Sequence, residues 1–432
     1  MNLRQFVYMI SAALIALPCF DSFAQSAHSK TPMIKSCKGL VVTGYQGWFR
    51  TPNDNSRRGW VHWNGKLREF SPRSCTIDFW PYTKEYEKLY DTGFTNPDGT
   101  VAQVFSSYDY STVDTHFKWM KQYGIDAAFM QRFYGATVHN PNDGRTVIGN
   151  AYKAAQKYGV GIMVMYDISG MPKGEVAQKL IDDWKYFVDT VKITGGDNNV
   201  YVRHNNKPLV CVWGIGFNDR HFSPEESDIN KFFDFLKNDE RYGNCSIMIG
   251  VPTGWRTLDT DCIKNPKLHE FLKKYADIIS PWNIGRYSMK NGVHRWSKGE
   301  LTKMVEKDIA WCEEKNKSYM PTIYPGFSWY NLQKVEGLTN NARLNQIPRE
   351  KGKFFWNMAA QAVEGGAEML YYSMFDEVDE GTAIFKISNT PPSTEGCPFA
   401  DLEGMPEDHY LFLAGKAKEM LKSGSALPMP KR

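Results

Sequence analysis

Short apolar runs alternate with longer amphipathic stretches along most of the chain. Eight runs stand out, at residues 38–49, 126–133, 161–169, 207–216, 245–252, 276–282, 318–329 and 368–377. An unbroken run of apolar and β-branched residues is typical of a parallel strand that is covered on both faces. The pattern therefore predicts eight buried parallel strands.

The stretches between these runs carry apolar residues at spacings of three and four, which is the period of a helix with one buried face. Several begin with a capping residue and end on Gly, as at 111–124; the stretch 145–159 also ends on Gly, and a last helix is predicted over 408–424. Strands that alternate with helices favour an α/β fold, and eight repeats favour a closed (β/α)8 TIM barrel. A doubly wound open sheet is the alternative, but no GxGxxG motif follows the first strand.

Two segments fall outside this alternation. Residues 1–24 have a basic start, an apolar stretch and small residues at the end, which is the pattern of a secretory signal peptide. We therefore expect a secreted or periplasmic protein; Cys19 raises a lipid-anchored alternative, which Pro18 disfavours. Residues 25–432 are predicted to form a single (β/α)8 domain. A long insertion at about 50–110 follows the first strand and would wall the mouth of a barrel.

The composition of the chain indicates which kinds of binding partner to expect. The 432 residues include 52 basic and 48 acidic ones, and no Lys/Arg-rich run is interleaved with aromatic residues, so a nucleic-acid partner is not expected. No stretch beyond the signal peptide reads as a membrane span, and a monomer is expected. The 13 Trp, 23 Tyr and 25 Phe indicate either a sugar-binding groove or a large aromatic core.

The cysteine pattern predicts no metal site. Cys211 and Cys245 lie within strand-like runs and are predicted to be buried thiols. Cys37 with Cys75, or Cys262 with a neighbour, could form a disulfide in an oxidising compartment. There is no CxxC pair and no Cys/His spacing suited to zinc, so neither a metal nor a cofactor is predicted.

The carboxyl ends of the predicted strands carry aromatic, amide and carboxylate side chains. In a TIM barrel these ends form the functional face, and such a mixture suits a sugar cleft. No His is prominent there, and no Ser or Cys has a visible base partner. The residues predicted to bind substrate are Tyr45, Gln46, Trp48, Arg132, Asp167, Trp213, Trp282, Tyr324, Trp329 and Asp376.

Several of these assignments have a structural alternative. Tyr45, Trp48 and Trp329 could equally be core residues. Asp167 could begin a helix instead of binding sugar hydroxyls. Arg132 could bind a carboxylate or a sugar hydroxyl, but the interpretation that it offsets the charge of the acidic cluster at 376–380 is slightly favoured.

Four carboxylates, those of Asp376, Glu377, Asp379 and Glu380, lie within five positions where the eighth strand ends. Carboxylates this close repel each other and raise one another's pKa. The repulsion is unfavourable, but a carboxyl with a raised pKa can serve as an acid in a catalytic site. We predict that Glu377 and Glu380 face the pocket and are catalytic, one protonated and one ionised, so that they divide the acid and base roles. Alternatively, the acids cap a helix, pair with Arg132 or Arg286, or face water.

The acidic segment resembles the signature of a known enzyme family. The sequence DEVDEGTAIF, at 376–385, is similar to NEWHEGTQIE of glycoside hydrolase family 99, the endo-α-mannosidases. GYQGWF and IYPGFSW resemble that family's first and seventh strands. The resemblance is loose over residues 38–422 and close only at the eighth strand. There, Asp376, Val378 and Asp379 stand where the signature has Asn, Trp and His.

The resemblance implies a (β/α)8 catalytic domain, related also to the family 71 α-glucanases, that hydrolyses an α-linked mannan-like or glucan-like glycan. It further implies that Glu377 is a base towards the sugar's own 2-hydroxyl, giving a 1,2-anhydro sugar and overall retention. Glu380 would be the acid to the leaving oxygen and then the base to water. The expected partner is therefore an oligosaccharide or polysaccharide substrate.

Two other interpretations remain open. The barrel could bind sugar without catalysis, its acids only accepting hydrogen bonds from hydroxyls. A metal-dependent hydrolase could use Asp376, Glu377 and Asp379 as oxygen ligands, although no His converges with them.

Overall fold

A mostly parallel sheet curls into a barrel in the computed structural model. The model describes residues 26–65, 68–220, 227–289, 293–295, 301–338, 342–392 and 395–432. The barrel strands are β1 (Val41–Tyr45), β2 (Ala127–Phe133), β3 (Gly161–Asp167), β4 (Lys207–Trp213), β5 (Ser246–Val251), β6 (Ile278–Pro281), β7 (Ser318–Tyr319 and Thr322–Ile323) and β8 (Leu370–Tyr372). The predicted signal peptide lies outside the described residues.

Each strand pairs in parallel with the next, and β1 pairs with both β2 and β8. The ring closes through β7, whose first half pairs with β6 and whose second half pairs with β8. Between the halves, the Met320 amide donates to the Ile279 carbonyl at 3.0 Å, and the Tyr371 amide donates to the Pro321 carbonyl at 3.1 Å. This is the predicted TIM barrel.

The helices follow the strands along the chain and form the outer layer. They are α1 (Tyr110–Tyr123), α2 (Tyr134–His139), α3 (Pro141–Tyr158), α4 (Ala177–Tyr186), α5 (Ile229–Asn238), α6 (Lys267–Tyr275), α7 (Leu301–Glu314), α8 (Tyr330–Glu336), α9 (Lys353–Glu364) and α10 (His409–Ser423). A π-helical turn, Phe187–Val191, extends α4, and a 3-10 turn, Glu350–Gly352, precedes α9. None of the helices within the described residues combines the length and the apolar character that a membrane crossing requires.

Three short strand pairs decorate the barrel. Arg203–His204 pairs antiparallel with β4, and Tyr287–Met289 pairs with Val293–Arg295. Between β1 and α1, the strands Tyr90–Thr95 and Val101–Val104 form a hairpin. This hairpin lies within the insertion that the sequence placed at about 50–110.

Alternate residues along each strand belong to two separate clusters. One set packs with the helices in the outer layer and includes Val41, Ala128, Val164 and Tyr166. The other set fills the inside of the barrel and contains no helical residue: Val42, Ala127, Phe129, Met163, Met165, Leu209, Cys211, Trp213, Met248, Ile278, Met320, Met369, Tyr371 and Met374, with Cys37, Val202 and Phe217 alongside. Because side chains alternate along a strand, this pattern determines which strand-end residues face the barrel mouth.

The cysteines divide between the same two clusters. Cys211 and Cys245 are buried thiols, as predicted. Cys37 belongs to the barrel interior, whereas Cys75 lies in the insertion and packs with the other cluster. The pairing of Cys37 with Cys75 that the sequence left open is therefore wrong.

Candidate active site

Asp376 joins the end of β8 to the end of β1. Its side chain is fully buried, and its two carboxylate oxygens accept hydrogen bonds from the main-chain amides of Gln46 and Gly47, both at 2.8 Å. Burial raises the pKa of Asp376 to about 7, against the lowering effect of the two amides. Gly47 has a φ of 58°, and a Cβ there would come within 2.8 Å of Val147. Asp376 therefore fixes the position of the main chain at Gln46 and Gly47, directly after β1.

Glu377 is held by two donors. The Gln46 side-chain amide donates to Oε1 at 2.9 Å, and the Thr382 hydroxyl donates to Oε2 at 2.6 Å. Only 3% of its surface is exposed. Burial raises the pKa of Glu377 well above its usual value, and the charges of Glu380 and Asp379 add to the increase. Burial raises the pKa of Tyr371, whose ring lies inside the barrel, and the charge of Glu377 adds to the increase.

Glu380 is the less restrained member of the pair. It is half-buried, and its carboxylate has no hydrogen bond or ion pair with any residue in the described part of the chain. Its main chain is fixed, because the Ser328 amide donates to its carbonyl at 3.0 Å. Burial raises the pKa of Glu380 to about 7, with further contributions from Asp379 and Glu336. A partly exposed carboxyl that stays protonated near neutrality suits proton donation.

Arg349 supports the turn that follows Glu380. Its guanidinium is fully buried and donates to the carbonyls of Gly381 and Ala383 at 2.9 and 2.8 Å. These carbonyls flank Thr382, which holds Glu377. The guanidinium lies 4.3 Å from the centre of the Phe79 ring. Nothing in the sequence pattern pointed to this contact, because Arg349 lies on the segment before α9.

Asp379 contacts the insertion. One carboxylate oxygen lies 2.9 Å from Nδ1 of His62, and the His62 ring stacks on Trp48 with ring centres 3.7 Å apart. Trp48 also stacks on Phe133 at the end of β2, at 5.3 Å. The sequence analysis missed His62, because this side chain lies in an irregular segment with no strand end beside it. Trp48 therefore packs between His62, which contacts Asp379, and Phe133 at the end of β2.

The three acids of the metal-ligand interpretation point to different partners. Asp376 binds the β1 loop, Glu377 binds Gln46 and Thr382, and Asp379 binds His62. Within the described residues, no three or more His, Cys, Asp or Glu side chains are grouped so as to hold a metal ion.

A cavity of about 280 Å³ lies on the rim of the barrel formed by the carboxyl ends of the strands, beside the ends of β3 and β4. Its lining residues are Ile168, Gly170, Met171, Pro172, Gly214, Asp219 and Arg220. Neither Glu377 nor Glu380 is among them, so this cavity does not enclose the glutamate pair. Ile168 directly follows Asp167, and Gly214 directly follows Trp213, so both predicted binding residues lie at its edge.

Asp167 and Trp213 face this rim from the inside of the barrel. Asp167 is buried, accepts a hydrogen bond from the Ser169 amide at 2.7 Å, and has a raised pKa because of burial. Trp213 packs edge-on against Trp282, with ring centres 5.1 Å apart. The Arg220 guanidinium lies 4.5 Å from the Trp213 ring centre. The sequence analysis missed Arg220, which lies in a loop several residues after β4.

Gln131 also faces the barrel interior and was not predicted to bind substrate. Its side-chain amide lies 3.3 Å from the Tyr371 hydroxyl, and its carbonyl oxygen is buried without a hydrogen-bond partner in the described structure. The alternation of side chains along β2 selects Gln131 over Arg132, so the signal was present in the strand pattern.

Three residues predicted to bind substrate lie elsewhere. Tyr45 is fully buried between the barrel and α1, and its hydroxyl binds His116 at 2.8 Å. Tyr324 is fully buried too, and its hydroxyl donates to the Tyr287 carbonyl at 2.8 Å. Arg132 points outwards to Asp183. All three occupy outward-facing positions, which the sequence analysis did not separate from inward-facing ones. Trp329, in contrast, remains half-buried on the rim.

Arg132 forms a buried bidentate pair with Asp183, with two N–O distances of 2.8 Å. We expect Arg132→Ala to lower the free energy of unfolding by about 3 kcal/mol, because it leaves a buried carboxylate with a weaker partner. Urea unfolding at pH 7 measures this loss. Arg145, which also binds Asp183 at 2.9 Å but is more exposed, provides the control, and Arg145→Ala should cost less. An Arg132→Ala variant with native stability and a raised KM would contradict this assignment.

The fold of this chain is similar to those of solved glycoside hydrolase structures. The GH99 endo-α-mannosidase from Bacteroides thetaiotaomicron matches in two structures, one in complex with BIS-TRIS-propane, each with a TM-score of 0.61 and 16% sequence identity. Each match covers 90% of this chain and 99% of the other. A glycoside hydrolase-like protein matches at a TM-score of 0.49 and 14% identity, over 89% of this chain and 94% of that one. No protein-family model matches the chain, and no curated protein matches its sequence. At these identities the likeness shows the fold, and it is the barrel that the family 99 resemblance implied.

Proposed function

We propose that this chain is a secreted, retaining glycoside hydrolase that cleaves an α-linked, mannan-like or glucan-like glycan. One observation carries the proposal: Glu377, held by two hydrogen bonds, and the less restrained Glu380 lie three residues apart after β8, burial raises the pKa of both carboxyls, and the charge of Glu380 raises the pKa of Glu377 further. The likeness of the fold to an endo-α-mannosidase supports the substrate class. The predicted signal peptide supports secretion.

The proposed reaction has two steps, in which the roles of the glutamates follow the family 99 resemblance. Protonated Glu380 donates to the glycosidic oxygen while ionised Glu377 accepts the proton of the sugar's 2-hydroxyl, so that O2 closes onto C1. Ionised Glu380 then takes a proton from water, which attacks C1, and Glu377 returns its proton to O2. Both glutamates end in their starting states, and the anomeric configuration is retained. The two fixed donors on Glu377 keep its carboxylate aligned throughout.

The rest of the rim provides the groups that a sugar requires. Trp213 and Trp282 present aromatic surface, and Asp167 and Arg220 offer an acceptor and a donor for hydroxyls. Gln46, which was predicted to bind substrate, also donates a hydrogen bond to Glu377 and so positions the proposed base. The proposed substrate therefore extends from the glutamate pair towards the cavity beside β3 and β4.

We expect kcat/KM to fall about tenfold per pH unit above pH 7. Burial raises the pKa of Glu380, the proposed acid, to about 7 and raises the pKa of Glu377 as well, so the pair keeps one proton up to about neutral pH. Loss of that proton removes the acid, and uptake of a second proton at lower pH removes the base. Initial rates at subsaturating substrate across pH 4–10 measure both limbs. A rate that keeps rising through pH 9 would contradict these roles.

Hydrolysis of α-mannan and α-glucan fragments by the purified protein tests the proposal most directly. We expect reducing ends to appear from one of the two glycans, with the α-anomer formed first, as NMR of the early product detects. Binding of both glycans without turnover would instead identify a sugar-binding barrel. Turnover that Glu380→Gln leaves intact would also exclude the proposed mechanism.

A further inference from the structure

Two buried cysteines meet where the insertion contacts the C-terminal segment. Cys75 and Cys397 are each 1% exposed, and their side chains are within hydrogen-bond contact of each other. They belong to parts of the chain more than three hundred residues apart. Neither glutamate is involved, so the contact is independent of the proposed catalysis.

The main chain around the two cysteines is fixed by contacts that do not involve sulfur. The Ala400 amide donates to the Asp78 carbonyl at 2.8 Å. The Asn331 side-chain amide donates to the carbonyls of Ile77 and Pro398, at 2.9 and 2.8 Å. The segments that carry the cysteines are therefore joined within one to three residues after each cysteine, and the cysteines face each other as a consequence of the fold.

We propose that Cys75 and Cys397 form a disulfide bond when the protein folds in an oxidising compartment. The oxidant is a small-molecule or protein disulfide. The thiolate of one cysteine attacks it, forms a mixed disulfide and releases one thiol; the second cysteine then attacks the mixed disulfide and releases the other thiol. The oxidant disulfide is reduced to two thiols, and the two cysteines lose two protons and two electrons in total.

Burial determines when this bond forms. Burial raises the pKa of the Cys75 thiol, and the thiolate is the reactive form, so the fully folded, reduced protein is slow to oxidise. The exchange therefore takes place before the insertion docks. Once formed, the bond is as inaccessible to reductants as the thiols are to oxidants.

The cross-link would support the region behind Glu380. Asp78 accepts hydrogen bonds from the amides of Tyr330 and Asn331, at 2.7 and 2.8 Å, and from the Ser328 hydroxyl. The Ser328 amide in turn donates to the Glu380 carbonyl. A disulfide at Cys75 anchors the segment that leads to Asp78, and so limits the motion of this network.

Thiol counting on protein that lacks residues 1–24 tests the proposal. After refolding in a mixture of oxidised and reduced glutathione, two fewer thiols than the seven of Cys37, Cys75, Cys211, Cys245, Cys262, Cys312 and Cys397 should react in denaturant. Peptide mapping without reduction should find the peptides of Cys75 and Cys397 joined. Seven reactive thiols, or a different joined pair, would overturn it.

Thermal unfolding provides the second measurement. Adding a reductant before refolding should lower Tm by about 5 °C in the unaltered protein, because the cross-link closes a long loop. The Cys75→Ser/Cys397→Ser double variant should show no such difference, whereas Cys245→Ser, at a buried thiol, should behave like the unaltered protein. Equal losses in all three would contradict the assignment. If the double variant does not fold, the thiol count of the unaltered protein decides.

Discussion

Glu380→Gln is expected to lower kcat on the natural glycan by at least about 10³-fold while the protein remains folded. The amide has nearly the same shape but cannot donate a proton to a glycosidic oxygen in the way an acid does. Because the Glu380 carboxylate has no partner among the described residues, the exchange breaks no hydrogen bond that the structure shows. Single-turnover rates together with circular dichroism measure the two effects.

The leaving group distinguishes the acid from other roles. An aryl glycoside whose leaving phenol is already acidic needs little protonation, so Glu380→Gln should lose far less activity on it than on the natural glycan. Glu336→Gln is the matched control, because Glu336 is an exposed carboxylate that acts on Glu380 only through its charge. Equal losses on both kinds of substrate would show that Glu380 is not the acid.

Stability should change in the opposite direction to activity. A carboxyl whose folded pKa is raised favours the folded state at low pH, and that contribution is lost as pH rises from the unfolded value towards about 7. Removing the charge should therefore stabilise the protein at pH 8 by on the order of 1 kcal/mol, reduced by its partial exposure. At pH 4 the variant and the unaltered protein should unfold at the same denaturant concentration.

Glu377→Gln is the second large effect, and it should not depend on the leaving group. Loss of the base slows formation of the intermediate on every substrate, so we expect at least about 10³-fold lower kcat on the natural glycan and on aryl glycosides alike. The fold should be retained: a glutamine carbonyl can accept from Gln46, and the Thr382 hydroxyl can turn to accept from the new amide.

Thr382→Val provides the control for Glu377. It removes one hydrogen bond that lowers the pKa of Glu377, with little change in shape. We expect a loss of about tenfold in kcat, with the acidic limb of the pH profile shifted to higher pH. Loss of activity without any shift would mean that Thr382 does not act through Glu377.

The sequence predicted the strands better than the direction of their side chains. All eight predicted runs contain a barrel strand, because continuous apolar runs between capped helices leave little choice of fold. The position of the acidic cluster after β8 followed from the same count. Tyr45 and Arg132 were chosen because they lie at strand ends, without regard to the alternation of side chains. Both point away from the barrel interior, and β1 and β2 are long enough to show which residues point inwards.

Other parts of the site depend on contacts that no local pattern contains. His62 reaches Asp379 across more than three hundred residues of chain, and Arg349 reaches the turn after Glu380 from the segment before α9. The family 99 signature has His at the position of Asp379. Here an imidazole contacts that position from the insertion, which a motif comparison of the eighth strand cannot detect.

The methionines inside the barrel bear on how readily such a protein could evolve. Six of the interior residues are Met163, Met165, Met248, Met320, Met369 and Met374. Thioether chains are flexible and polarisable, and they fill irregular spaces with little penalty. A bulkier or smaller residue at the mouth of the barrel could then be accommodated by rotamer changes of the methionines beneath it. Single mutations at the mouth could therefore change specificity without unfolding the barrel.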